Sequence, residues 1–158
     1  MDDRLFKAAM GKFATGVTVI TTEIDGQVHG MTANAFMSVS IDPKLILISV
    51  ADKAKMHDLI KQSGKFAVNI LAEHQQDMSM VFAGQIKDRD VAFDRFEDLP
   101  VIEDSLVTIA CDVYDTHPAG DHTLFVGAVQ NLQLQEDEPL AIYEGKYKDL
   151  QDKVTSEV

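Results

Sequence analysis

Asp25-Gly26 constrains this chain more than any other pair of residues. It separates VTVITTEI (17–24) from QVHGMTANAF (27–36), two runs of β-type residues. A two-residue Asp-Gly link between such runs predicts a type I′ turn. Both of its positions need a left-handed backbone, which Asp tolerates and Gly adopts freely. The chain must therefore double back early as an antiparallel hairpin, and the remaining residues have to continue or cover that hairpin.

Further strands read from the same logic. LILISV (45–50) is a short unbroken apolar run and predicts a strand covered on both faces. FAVNIL (66–71) is another. LVTIACDVYDTH (106–117) and HTLFVGAVQNLQL (122–134) predict two long strands joined at Pro118-Ala119-Gly120, and PLAIYEG (139–145) a last short one. Three helices punctuate them. DRLFKAAMGK (3–12) carries Leu5, Phe6, Ala9 and Met10 at helical spacing and ends at Gly11 or Gly16. DKAKMHDLIKQS (52–63) has Asp52 as N-cap, a Met56, Leu59, Ile60 stripe and Ser63-Gly64 as its stop. EHQQDMSMVFAG (73–84) is the third. Residues 84–104 are Asp-rich and read as an irregular loop holding Phe93 and Phe96. Seven strands with hairpin links and no βαβ alternation predict a mainly β chain, an antiparallel barrel decorated with helices. Residues 1–150 form a single domain, and 151–158 a polar tail.

Composition narrows the chemistry. The net charge of −12 repels nucleic acid phosphates and anionic lipid, so neither is an expected partner. No apolar run is long enough to span a membrane, and the acidic amphipathic N-terminus is unlike a secretory signal; a cytoplasmic location is expected. The single cysteine, Cys111, sits in an apolar run and reads as a core thiol. His117 and His122 stand five apart, and His29, His57 and His74 are scattered, so no metal centre is expected. No serine occupies a strand-turn-helix elbow, and no GxGxxG or GxxxxGK[ST] is present.

MTANAFMSVS (31–40) carries the strongest functional signal. Taken as one strand, Met31, Ala33, Ala35, Met37 and Val39 share a face, and Thr32, Asn34, Phe36, Ser38 and Ser40 share the other. That second face is polar without a single charge. It suits either a covering segment or a flat heteroaromatic ligand, whose ring needs small neighbours and whose edges need neutral donors and acceptors. Lys53 and Lys55 at a helix N-terminus offer a phosphate seat. Gly120-Asp121-His122 heads a strand, where a histidine can hydrogen-bond a bound ring.

Five segments in order, FATGVTVIT (13–21), HGMTANAFMSVSIDP (29–43), KFAVNIL (65–71), GDHTLFVGAV (120–129) and PLAIYEGKY (139–147), resemble the short-chain flavin reductases of the FMN-binding split-barrel superfamily. The resemblance implies an antiparallel Greek-key split β-barrel. It implies a homodimer with flavin near the subunit interface, and a hydride passed from NADH or NADPH to FMN or FAD, with reduced flavin going on to a partner monooxygenase. Carried over by motif, Thr15, Gly16 and Val17 lie near the flavin, and Thr32, Ala33, Asn34 and Ala35 line its ring. Ser38, Val39 and Ser40 flank ring or phosphate, while Lys53, Lys55 and His57 lie by the phosphate. Phe82 and Ala83 border the site, Tyr147 stands at its rim, and His122 is the group beside the nicotinamide. Two departures are visible. Ala54 and Met56 stand where the family often has hydroxyls, and Gly127-Ala128-Val129 replaces a common Gly-Glu-Val. The superfamily also implies two alternatives: a flavin-binding electron carrier, or a ferric reductase with tightly held FMN.

Overall fold

The computed structural model describes residues 1–154. Its organising element is the Asp25-Gly26 hairpin. Asp25 (φ 51°) and Gly26 (φ 77°) both take the left-handed backbone that a type I′ turn requires. They join β2 (Thr18–Ile24) to β3 (Gln27–Ala33) in register, with Ile24 opposite Gln27 and Thr18 opposite Ala33.

Five more strands complete the main sheet: β4 (Phe36–Ser40), β5 (Leu45–Ala51), β6 (Lys65–Ile70), β9 (Val107–Ala119) and β10 (His122–Leu134). Every pairing is antiparallel, and the order is β3-β2-β6-β9-β10-β5-β4. The two edges of this seven-stranded sheet, β3 and β4, are consecutive in the chain. Only Asn34 and Ala35 separate them, and two residues reach roughly 10 Å from Cα33 to Cα36. A flat sheet of seven strands would hold its edges roughly 29 Å apart at the usual strand spacing. The sheet must curl until the edges meet at that joint, which is the split β-barrel architecture.

The joint corrects the reading of 31–40 as one strand. The alternation slips by one residue at Asn34–Ala35. Met31 and Ala33 pack on the barrel core, and so does Phe36, which a continuous strand would place on the other face. Met37 and Val39 are exposed instead. The core holds Ile20, Ile48, Phe66, Val68 and Phe125, closed by Met56 and Ile60 of α2 (Lys55–Ser63). Fully burying one such side chain stabilises by about 1.5–3 kcal/mol. In β5 the coverage is uneven: Ile46, Ile48 and Val50 are buried and their alternate neighbours half-buried.

Other boundaries moved for physical reasons. Asp52 does not cap α2; Ala54 holds that position, because Thr123 Oγ1 donates to Asp52 Oδ1 at 2.7 Å across the fold. Gly64, at φ 72°, stops α2 as expected. The stretch 84–104 is not irregular throughout. It forms a hairpin of β7 (Phe93–Phe96) and β8 (Leu99–Ile102), and Leu99, Val101 and Ile102 are buried. The turn between the two long strands falls at Gly120-Asp121, since β9 runs through Ala119. The C-terminal strand is also a hairpin, β11 (Ala141–Tyr143) and β12 (Lys146–Lys148), turning at Glu144-Gly145. β11 pairs with the two-residue strand β1 (Thr15–Gly16). α1 (Asp3–Met10) is capped by Asp2, whose carboxylate accepts from the Leu5 N–H at 2.7 Å. α3 (Gln76–Phe82) packs with β11 on the outer face of β2, where Val17, Val19, Leu71 and Leu140 form a second core.

Candidate functional site

One end of the barrel gathers the residues singled out above. Thr18 is opposite Ala33, so the start of β2 meets the end of β3. The Ser49 N–H donates to the Ala35 carbonyl at 3.1 Å, bringing the end of β5 to the joint. His122 is opposite Ala51, and the Asp52 N–H donates to the Asp121 carbonyl at 2.9 Å, adding the start of β10. Three depressions share Asn34. One of about 170 Å³ is lined by Val17, Thr32, Ala33, Ser79, Ala83 and Tyr147 among others. A second of about 210 Å³ touches Thr15, Gly16, Val17 and Phe36. The third, about 330 Å³, lies under Phe6, Met10 and Phe13.

The walls are fixed by specific contacts. The Thr32 hydroxyl donates to the Ser79 carbonyl at 2.7 Å, tying β3 to α3. Ser79 Oγ and the Tyr147 hydroxyl lie 2.8 Å apart, tying α3 to β12. Phe82 packs over Gly30, where an added Cβ would meet the ring at 2.6 Å. Phe82 therefore braces the site from behind, and its helical neighbour Ala83 lines it. Thr15 Oγ1 is buried beside the second depression and has no hydrogen-bond partner among the described residues. Buried hydroxyls are almost always paired, so an orphan one at a cavity wall fits a bound polar edge.

The charged residues fall in two groups. Lys53 and Lys55 are exposed at the start of α2, and no side chain caps that helix. The His57 N–H turns back to the Ala54 carbonyl at 3.1 Å, which leaves the N–H groups of Lys55 and Met56 to meet an anion. His122 Nδ1 pairs with Asp121 Oδ1 at 2.7 Å. That hydrogen bond, the histidine's charge and the nearby Lys53 ammonium hold the Asp121 carboxyl below the usual carboxylate range. His57 is occupied differently. Its Nε2 bonds Thr123 Oγ1 at 3.0 Å, its Nδ1 bonds Asp58 at 2.8 Å, and its ring packs edge-on against Phe125. It pins α2 to β10 and presents neither nitrogen to the open side.

Ser38, Val39 and Ser40 are carried away from the joint. Ser38 is opposite Ile46 and Ser40 opposite Leu45, at the end of β5 remote from Lys53. At a strand's rise they stand roughly 13–20 Å along β4 from Asn34. Three residues lining the 170 Å³ depression escaped the sequence reading: Ser79, Gln85 and Ile142. Ser79 had a signal, since it lies one helical turn before Phe82 and Ala83 and so shares their face. Among the described residues no group of three His, Cys, Asp or Glu side chains is arranged to hold a metal ion. No described helix is long and apolar enough to cross a membrane.

Comparison with known proteins supplies the family. The model of the flavin reductase like domain matches residues 10–151. An NADH-dependent flavin reductase of Rhodococcus is 45% identical over 149 residues, covering 92% of this chain and 85% of the relative. The reductase component of a 4-hydroxyphenylacetate 3-monooxygenase from Thermus thermophilus is 35% identical, covering 87% of this chain and 89% of its own. Among solved structures, the flavin reductase PheA2 superposes with a TM-score of 0.94 at 57% identity, over 96% of this chain and all of that one. Matched across almost its whole length in sequence and in fold, the chain belongs to the flavin reductase-like domain family.

Proposed function

We propose that the cavities at the Asn34 joint hold the flavin of an NADH-dependent flavin reductase, with residues 1–150 acting as one catalytic domain and the remainder as a polar tail. The observation that carries the assignment is the orphan Thr15 hydroxyl, buried at a cavity wall shared with Asn34. Its neighbours fit a flat ring: Gly16, Val17, Ala33 and Ala83 are small, and Thr32 and Asn34 are polar and neutral. The bound flavin supplies the acceptor for a hydride from the reduced nicotinamide.

The chain's own work is to bind and orient. Small side chains let a ring approach the backbone, and Tyr147 and Ile142 close one side. Lys53, Lys55 and the uncapped α2 terminus offer a seat for phosphate. His122, half-exposed and steadied by Asp121, is the orienting donor for the nicotinamide. Holding two rings in contact accounts for much of the acceleration such a transfer needs. No basic cluster for a 2′-phosphate accompanies the −12 charge, which favours NADH, and FMN is the expected flavin with FAD as its rival.

Three further assignments belong to this reading. The chain pairs with a second copy through β4, whose Met37 and Val39 are exposed and which leads into Ile41, 84% exposed. It serves a separate monooxygenase, as the role of the Thermus relative suggests, and it works in the cytoplasm. The deciding experiment is a visible spectrum of the protein with FMN, followed anaerobically as NADH is added. Bleaching well above the protein-free rate supports the reductase. A perturbed flavin band that resists both NADH and NADPH would replace it with a flavin carrier. Reduced FMN that stays with the protein on dilution would favour a ferric reductase.

A further inference from the structure

Ser79 ties together three walls of the 170 Å³ cavity that the chain brings from distant places. It lies on α3 and is 1% exposed. Its carbonyl accepts from Thr32 on β3, 47 residues away, and its hydroxyl meets Tyr147 on β12, 68 residues away. All three residues line the cavity. The β11–β12 hairpin has three residues in each strand, too short to hold its own shape. The Ser79–Tyr147 bond is the one side-chain hydrogen bond between that hairpin and α3 among the described residues.

We propose that Ser79 is a positioning residue: its hydroxyl fixes the Tyr147 phenol and so sets the width of the flavin cavity. The inference rests on the assignment of flavin to the Asn34 joint. Tyr147 is half-buried, packs against the second core and stands opposite Ile142 in the hairpin. With the phenol bonded, that wall is preformed. Without the bond, the ring gains freedom that a ligand must remove on binding, and affinity falls. The group facing the nicotinamide, His122, stands on β10 and belongs to a separate set of contacts. Once both molecules are seated, turnover therefore depends less on Ser79 than flavin affinity does. The loss falls on flavin affinity, as expected for an interaction made equally before and during the reaction.

The test is a double-mutant cycle on the full chain, reading FMN affinity by fluorescence titration and NADH oxidation at saturating FMN. Ser79→Ala and Tyr147→Phe each raise the FMN Kd about 3–10-fold, and kcat at saturating FMN falls by less than the Kd rises. The double variant matches either single one, because both remove the same bond. Tyr147→Phe keeps its ring at a half-buried site and carries the test if Ser79→Ala lowers the melting temperature too far. Unchanged Kd values, losses that multiply in the double variant, or a fall in kcat without a change in Kd would each overturn the role of Ser79. Failure of the wild-type chain to bind FMN would overturn the flavin assignment itself, and this inference with it.

Discussion

The Phe82 ring lies directly over the Gly30 backbone, so close that a Cβ on Gly30 would come within 2.6 Å of Cδ1. The contact docks the C-terminal end of α3 onto β3, beside the Thr32–Ser79 bond. Phe82 is also held at 5.9 Å from the Phe93 ring, which limits how far it can retreat. Gly30→Ala therefore destabilises the chain by about 1–3 kcal/mol, the usual cost of overpacking. It also weakens FMN binding, because Ser79 and Ala83 move with the helix. Urea unfolding and an FMN titration on the same variant check both halves.

His122→Ala separates orientation from binding. His122 is not among the residues that line the three depressions at Asn34, so flavin affinity stays within about twofold of wild type. NADH-dependent turnover falls about tenfold, the equivalent of one well-placed hydrogen bond. Stopped-flow reduction of bound FMN measures this step alone. Full turnover in the variant would remove His122 from the mechanism.

Lys53 and Lys55 are tested by the ligand as much as by substitution. Replacing both with Gln raises the FMN Kd about 3–10-fold and flattens its salt dependence, since exposed charges act through screened attraction. Riboflavin has no phosphate, and its affinity is unchanged by the same substitutions. Parallel loss of both ligands would place the phosphate elsewhere.

Thr123 joins Asp52 and His57, accepting from the ring and donating to the carboxylate. Thr123→Val keeps the shape and removes both bonds. The His57 side chain is only 12% exposed, so its Nε2 is left poorly solvated. The loss is about 1–3 kcal/mol, read as a lower unfolding midpoint. Local opening at the start of α2 makes the amides of 55–57 exchange faster in hydrogen-exchange measurements.

Burial raises the Cys111 thiol from 9.0 to about 12, with the Asp112 charge adding to the effect. The thiol is therefore neutral and inert in the folded chain near neutrality, and a thiol-specific reagent at pH 8 reacts only as the protein unfolds. The sign of the linkage comes from the raised value. The unfolded thiol ionises first, so the stabilising contribution is complete below pH 9 and is lost as the pH climbs towards 12. Unfolding at pH 8 and pH 10.5, compared with Cys111→Ala, isolates this contribution.

The features legible in the sequence were local. The Asp25-Gly26 turn declares itself because both positions need a rare backbone, and Gly64 stops α2 for the same reason. Thr32 and Asn34 stood out because a polar strand face without charge is unusual, and they do line the cavity. The break at Asn34–Ala35 was hidden by chemistry that suits a strand on either side of it. Small alanines at 33 and 35 give no warning that the chain has crossed from one edge of the sheet to the other. Asp52 was lost as a cap to Thr123, 71 residues distant, a competitor no local pattern can announce. β8 was masked by Pro100 and the surrounding aspartates, although its four residues are all buried. Ser79 gained its role from partners 47 and 68 residues away.

The two-residue joint between β3 and β4 limits how this molecule can be remodelled. Elsewhere a surface connection can lengthen at little cost, roughly 0.6 kcal/mol for each doubling. At 34–35 an extra residue would part the two edges of the sheet or turn β4 over, presenting Met37 and Val39 to the core in place of Phe36. Insertion, the commonest way a binding loop acquires new specificity, is thus closed to the part of the chain that all three depressions share. Change there has to come one side chain at a time. Ala35, exposed and with nothing beyond its Cβ, is a position where a larger side chain can be added.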